Sequence, residues 1–435
     1  MNDTAPPDGE TDPFTLAAQE RWLDLARLGR KAWNEWANLE LKKPRNQRKA
    51  VSLTNQPISL KNFGGFLFPG VVIFEGCLFE SEADFRRSVF YGDANFQGAE
   101  FSHRALFFRS IFMKEANFFG AKFRKDSVFI ESFFHFNADF SNCKFGEDID
   151  FSDAIFRSVA IFFESEFMNQ GIFMGALFNS ISEFDHVRMA SDWQLDGVQA
   201  VGSLSAKSAS IQGHAYLTNI SFHVPPDLIS TAFSQPPSFR GSNFWYPRSK
   251  PFLGKCSLPD GKDRFQRLKQ LAADTHDHEL ELRLFAHETK AKRFHSLKPT
   301  NPLHWPGLVL NFAYEWASDF GQSVLRPLGW LLMTVVCALF AYETMTGRPD
   351  MLGRGLIEFS DAAKVAAVAN VFPFAGQAEI GREIMTTGLC PMPEDSAERL
   401  DCLTALYTIS AVEGVFGLIF LFLIGLGLRN RFRIK

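Results

Sequence analysis

Glu413 is the one ionisable side chain in the apolar run 403–428, and Gly414 and Gly417 beside it would admit a second backbone. A carboxylate in such surroundings is costly unless it faces a helix interface, a water-filled path or a partner. In a water-filled path it would form a polar ring that attracts cations. The upstream residues Asn370, Phe372, Pro373, Phe374 and Gly376 could frame that path with it. The plainer reading is a structural carboxylate hydrogen-bonded to Ser410 or Asn370, or placed near an interface. Cys390 and Cys402 enclose Pro391 and Pro393, and in an oxidising compartment they would form a disulfide worth about 3 kcal/mol. Two unrelated thiols are the alternative. His276, Asp277, His278, Glu279, His287 and Glu288 could be read as metal ligands. Their spacing matches no ligand pattern, and a charged helix face accounts for them more simply. No phosphate-cradling glycine loop or nucleophile elbow is present, so neither an enzyme nor a cofactor is expected.

The elements that hold these groups follow from composition. Lys plus Arg is 45 against Asp plus Glu at 49, too balanced for a basic nucleic-acid reader. Six cysteines in 435 residues exclude a disulfide-dense scaffold. The unusual quantity is 48 Phe against 6 Tyr, which points to repetition. From Phe63 to Phe184, 23 phenylalanines alternate spacings of five and six residues, a strict 11-residue period. Two residues before each, from Ala83 to Ser182, stands Ala, Ser, Gly or Cys, with Ile149 the sole exception. Neither a helix stripe nor a flat strand has that spacing. A coil turning a corner every five or six residues does, and it places one large and one small residue inward on each side. The expected core ladder comprises Phe85, Phe96, Phe107, Phe118, Phe129, Phe140, Phe151 and Phe162. With them stand Phe90, Phe101, Phe112, Phe123, Phe134, Phe145 and Phe156. Cys77 and Cys143 fall in small inward slots and should be inert, while Cys256 and Cys337 have no expected partner.

Ala83-Asp84-Phe85, Ala94-Asn95-Phe96, Ala116-Asn117-Phe118 and Ala138-Asp139-Phe140 match the unit Ala-(Asp/Asn)-(Leu/Phe)-x-x. Over residues 50–225 the chain resembles the pentapeptide-repeat proteins. That resemblance implies a mainly β repeat solenoid, a right-handed quadrilateral β-helix. The extra residue in every second unit departs from the family pattern and implies 22 residues per coil, with longer corners on two edges.

Around the solenoid, 1–13 reads as a disordered tail and 14–49 as an amphipathic capping helix carrying Trp22, Leu25, Leu28, Trp33 and Trp36 on one side. An irregular linker is expected over 226–262, then juxtamembrane helices over 263–322 with a turn near 275–277. Residues 323–435 read as a two-span membrane module with an outward loop at 347–402 and a short re-entrant or interfacial helix near 361–373. Span, short helix, span resembles the two-helix pore module of the ion-channel superfamily, and Ser318-Asp319-Phe320-Gly321-Gln322-Ser323 resembles the lead-in to it in membrane-linked repeat proteins. Thr-Val-Gly-Tyr-Gly is missing, so the potassium cage is not implied. Arg429, Arg431, Arg433 and Lys435 after the second span, and no apolar stretch in the acidic first 13 residues, predict both termini in the cytoplasm of a bacterial inner membrane.

The expected function is therefore an oligomeric, ion-channel-like pore with a cytoplasmic solenoid as vestibule or sensor. Its partners would be the lipid bilayer, further copies of the chain, and ions or a cytoplasmic protein. The alternative is a non-conducting scaffold. Some family members mimic DNA, but 20 acidic against 13 basic residues over 61–224 is a mild excess, and no nucleic-acid role is expected.

Overall fold

Residues 51 to 244 form two-residue parallel strands, and each strand pairs with the strand one coil further on, 22 residues away in the regular part. The computed structural model describes residues 16–246, 258–296, 301–345, Lys364, Ala367, Val371 and 397–432. Four parallel sheets of eight, seven, seven and nine strands line the solenoid, and a two-stranded sheet follows. Two residues serve as names for opposite faces. The Leu67 face runs Leu67, Val89, Ile111, Phe133, Ile155, Leu177, and the Glu100 face includes Glu100, Lys122, Lys144, Glu166 and Arg188.

In each strand one residue points in and the other out, as the pleat requires. The inward phenylalanines, Phe85 to Phe162 and Phe90 to Phe156, are buried throughout. Rings one coil apart stack: Phe96 on Phe118 at 4.8 Å and 2°, Phe118 on Phe140 at 4.7 Å and 3°. Half a coil apart they meet edge to face, as Phe118 and Phe129 do at 5.6 Å and 88°. Both are favourable arrangements of ring quadrupoles. The small slots lie beside them. Ser165 uses its slot to donate from Oγ to the Phe140 carbonyl at 2.6 Å, so the buried hydroxyl is satisfied. Cys143 donates to the Phe118 carbonyl at 3.0 Å, and Cys77 to that of Leu53. Burial pushes the Cys77 thiol up to about 12 and raises that of Cys143, which keeps both protonated and unreactive.

The two spacings correspond to two kinds of corner. On the five-residue side the amide three after a Phe closes a turn onto its carbonyl, as Ser110 does on Phe107 at 3.0 Å. The residue before that amide is left-handed: Arg109 has φ 55°, Glu131 53° and Asp153 55°. Such a turn favours glycine, and Gly98 and Gly120 occupy equivalent corners. The six-residue side turns without a positive φ.

Both ends are closed. The N-terminal capping segment is two helices, α1 (Leu16–Arg27) and α2 (Arg30–Leu41), not one. Gly29, with φ 88°, breaks it and leaves Leu28 exposed. The break lets Trp22, Trp33 and Trp36 cluster, with Trp33 stacked on Phe66 at 5.1 Å and its Nε1 donating to the Leu67 carbonyl at 2.8 Å. At the other end the irregular linker expected over 226–262 is further coil as far as residue 246. Ala232–Phe233 pairs with Ser210–Ile211, and Asn243–Phe244 with Ser221–Phe222. Ile211, Phe222, Phe233 and Phe244 keep the 11-residue period, while proline pairs fall in the corners between. Then α3 (Gly261–Asp274) and α4 (His278–Ser296) form a hairpin whose Phe265, Leu268, Leu271, Leu280 and Leu284 join the solenoid core. Arg264 reaches the buried Asp227 at 3.3 Å and the Pro225 carbonyl at 3.0 Å.

The chain divides into two compact units, 1–291 and 292–435. The second holds α5 (Trp305–Ser318), α6 (Leu325–Met345) and α7 (Ala397–Phe432). Among the described residues α6 and α7 contain the stretches long and apolar enough to cross a membrane, at about 31 and 54 Å of helix.

Phe129→Ala or Phe140→Ala removes a ring stacked on both sides and should cost about 3–5 kcal/mol. Arg124→Ala, at an exposed corner, should stay within about 0.5 kcal/mol. Denaturant unfolding of the three variants checks this, and comparable losses in both classes would show the register to be wrong.

Candidate functional site

The second unit is assembled on one face of α7. Leu406, Glu413, Phe420 and Gly427 are buried and recur every seven residues, the interval that keeps a seam facing one partner helix. That partner is α6, which runs antiparallel. Leu331 clusters with Phe420 and Leu423, while Ala338 and Tyr342 cluster with Leu406. Around this pair the helices expose apolar side chains, Leu332, Met333, Phe416, Ile419 and Phe422 among them, as a lipid-facing surface would.

The turn between α5 and α6 closes the Arg429 end. Asp319, Phe320 and Gly321 all have positive φ, at 50°, 57° and 81°. Two non-glycine residues in that region need support. The Ser318 carbonyl accepts from Gly321 N at 3.1 Å and Ser323 N at 3.0 Å, and Phe320 is buried against Tyr314. The Asn430 side chain donates to the Gly321 carbonyl at 3.1 Å. A side chain on Gly427 would press on Val324 at 3.0 Å. The Ser318–Ser323 motif singled out in the sequence is thus the clasp that joins the start of α6 to the end of α7. Before it, Arg293 is buried, donates to Asn311 at 2.6 Å and pairs with Glu315.

Glu413 lies buried between α6 and α7. Its Oε2 accepts from the Tyr342 hydroxyl at 2.8 Å, and its Oε1 is buried with no hydrogen-bond partner among the described residues. Among the described residues that partner is Tyr342 and not Ser410, while Asn370 lies outside them. Tyr342 stands 71 positions earlier, and its one visible signal was a hydroxyl near the end of an otherwise apolar span. One turn further along α7, a Cβ on Gly417 would sit 2.4 Å from the Val371 carbonyl oxygen. The backbone that Gly417 admits is therefore the chain's own. Lys364, Ala367 and Val371 are helical, and the last two are fully buried.

Of the remaining sequence candidates, Asn370, Phe372, Pro373, Phe374, Gly376 and Cys390 lie outside the described residues. Cys402 is disulfide-bonded, to a partner also outside them. Cys337 is a free thiol. In the α3–α4 hairpin Glu288 is bound by Lys269 Nζ at 2.6 Å, and His278 by Glu281 at 3.2 Å. Among the described residues no three His, Cys, Asp or Glu converge to hold a metal ion.

Comparison with protein families matches residues 63–111 to pentapeptide repeats, in nine copies. Comparison with curated proteins and with solved structures finds no match. The chain thus carries a pentapeptide-repeat β-solenoid together with two helices able to cross a membrane.

Tyr342→Phe would remove the hydrogen bond that Glu413 makes among the described residues and should cost about 1–2 kcal/mol in detergent unfolding. In a Glu413→Leu background the same change should cost clearly less, since the bond to Glu413 is already gone. Equal costs in both backgrounds would show that the bond contributes nothing.

Proposed function

We propose that this chain is a membrane-anchored repeat protein acting as an oligomeric, ion-channel-like pore, its solenoid a right-handed quadrilateral vestibule or sensor in the cytoplasm. The observation that carries this reading is that Ala367 and Val371, both helical and fully buried, pack against α6 and α7 at different levels. Ala367 meets Ala338, Tyr342 and Leu406, and Val371 meets Leu331, Phe420 and Leu423. Contacts at two levels run along the pair and not across its end. Irregular backbone at bilayer depth is tolerated where protein covers it or it lines water. In the proposed pore the sequence that follows, Phe372-Pro373-Phe374-Ala375-Gly376, would supply such backbone, since Pro373 has no N–H to donate. Repeated around a ring of subunits, it would frame a conduit, with the Asn370 amide and the Glu413 carboxylate as the polar groups nearest to it.

The basic run after the second span favours a cytoplasmic location for that end, and with two spans the solenoid shares it. The 347–402 loop then faces the outside of a bacterial inner membrane. Cys390 is the natural partner there for the bonded Cys402. No catalytic step, cofactor or nucleic acid enters this reading.

One observation favours the second reading, a non-conducting scaffold. Glu413 is bound within its own subunit by Tyr342, and a carboxylate so engaged serves helix pairing as well as it would serve ions.

Ion flux through reconstituted protein separates the two. Wild type should pass cations, and Glu413→Gln and Phe374→Ala should each change selectivity or conductance several-fold. If folded, oligomeric wild type passes no ions under voltage, tension or pH change, the scaffold reading replaces the pore. If wild type conducts and Glu413→Gln changes nothing, only the role of Glu413 is lost.

A further inference from the structure

The helix α5 is inside out. Its exposed residues are Trp305, Pro306, Val309, Leu310, Phe312, Ala313 and Trp316, and none carries a charge, a hydroxyl or an amide side chain. At 3.6 residues per turn they fall within about 160° of arc. The polar side chains Asn311, Glu315 and Ser318 stand on the other side, where the protein satisfies them. Asn311 accepts from the Arg293 guanidinium at 2.6 Å, Glu315 pairs with the same group, and Ser318 donates to the Tyr314 carbonyl at 3.0 Å. The helix α3 has the same length, 14 residues, and exposes Asp263, Gln266, Gln270, Ala273 and Asp274. A helix that meets water turns its polar side outward, as α3 does. α5 does the reverse, with Trp305, Val309, Leu310 and Trp316 each at least 60% exposed.

The surface that α5 joins identifies what covers this arc. Its last turn packs on the pair of long helices. The Trp316 and Trp330 rings lie 3.8 Å apart between centroids, and Tyr314 and Ala317 pack against Leu331, Phe420 and Leu423. Beside Trp330, α6 exposes Leu328, Leu332 and Met333. Lipid that covers that side of a spanning α6 also reaches Trp316. Charged groups give the depth. Arg326 at the start of α6 and Arg429 near the end of α7 are exposed, which sets the clasp beside them at the polar boundary of a bilayer. α5 leads into the clasp and is about 21 Å long, too short to cross a hydrocarbon core of roughly 30 Å. A helix of that length can lie along the boundary, where tryptophans are favoured, and Trp305 and Trp316 stand near its two ends. A protein partner would be met by a polar rim as well as an apolar centre, and the exposed arc has no polar side chain to form one. Acyl chains need no such match.

We propose that α5 is a third membrane element, lying in the bilayer surface at the Arg429 end with Val309, Leu310 and the two tryptophans sunk among phospholipid acyl chains. The proposal rests on the reading that α6 and α7 span a membrane. Embedded in this way, α5 anchors the start of α6 in one leaflet through the clasp at 318–323, and the acyl chains bury the arc that water would otherwise meet.

The test places one spin label at a time on the full-length protein in vesicles of phosphatidylcholine and phosphatidylglycerol. Cys256→Ser and Cys337→Ser remove competing thiols, Cys77 and Cys143 are buried, and purification without reductant keeps the Cys402 disulfide closed. Labels at Val309→Cys and Leu310→Cys report α5. Phe416→Cys, on the exposed apolar side of α7, and Gln270→Cys, on the exposed polar side of α3, are the references. Collision with dioxygen, which concentrates in lipid, is compared with collision with a water-soluble nickel chelate. The ratio of the two at Val309 and Leu310 should be at least about fivefold above that at Gln270 and close to that at Phe416. A ratio equal to that at Gln270 means that water meets the arc. Low collision with both reagents means that protein covers it, a second copy or another chain. Either result overturns the proposal. Should one of the two α5 variants fail to fold, the other decides. If Phe416 also reads like Gln270, the membrane reading falls and the proposal with it. Lipid contact at Phe416 without lipid contact on α5 overturns the proposal alone and leaves the two spans standing.

Discussion

The stack of phenylalanine rings sets the geometry of the first unit. Parallel rings one coil apart sit 4.6–5.2 Å between centroids over most of the ladder, and parallel strands lie about 4.8 Å apart. Because the two distances agree, a ring and a backbone pair can repeat together without strain. The same inward position must return above itself, which in the regular part takes 22 residues per coil. It also explains the small slots. Four rings per layer leave room beside each strand for Ala, Ser, Gly or Cys, and Ser165 and Cys143 are accommodated there because the carbonyl of the coil before accepts the hydrogen.

A stack has ends, and much of the surrounding sequence follows from closing them. Trp33 continues the aromatic pile past Phe66 and Phe68, and the α3–α4 hairpin buries its leucines at the other end. Terminal repeats of a solenoid must cap the core in this way. The second unit obeys a different rule. Its helices are apolar on both faces, so apolarity cannot say which side meets which. Position is set by close backbone approach at Gly417 and Gly427, by the clasp at 318–323, and by one buried hydroxyl-to-carboxylate bond.

How much of this was legible depended on whether the signal was local. The core ladder was, because Phe and small residues recur at fixed spacing whatever their distant neighbours are. The last coils were obscured by Pro225, Pro226, Pro236 and Pro237, which imitate a linker although Phe233 and Phe244 keep time. The break at Gly29 was hidden by a helical pattern that continues across it. The run of apolar outward residues on the Leu67 face shows only once residues 22 apart are assigned to one face, and reading for the core directs attention to the other residue of each strand. Tyr342 was beyond reach: nothing in the chain near Glu413 says that a hydroxyl 71 residues earlier is its partner.

The commensurate coil is the claim on which the architecture stands, and insertion length tests it most directly. Duplicating residues 116–137 adds one complete coil of 22 residues, whereas a 20-residue duplication of 116–135 shifts every later Phe out of register. The account predicts that the first protein unfolds at or above the wild-type temperature with the same β circular dichroism. It predicts that the second loses several kcal/mol, since the rings below the insertion leave their stack. Equal stability of the two insertions would contradict it.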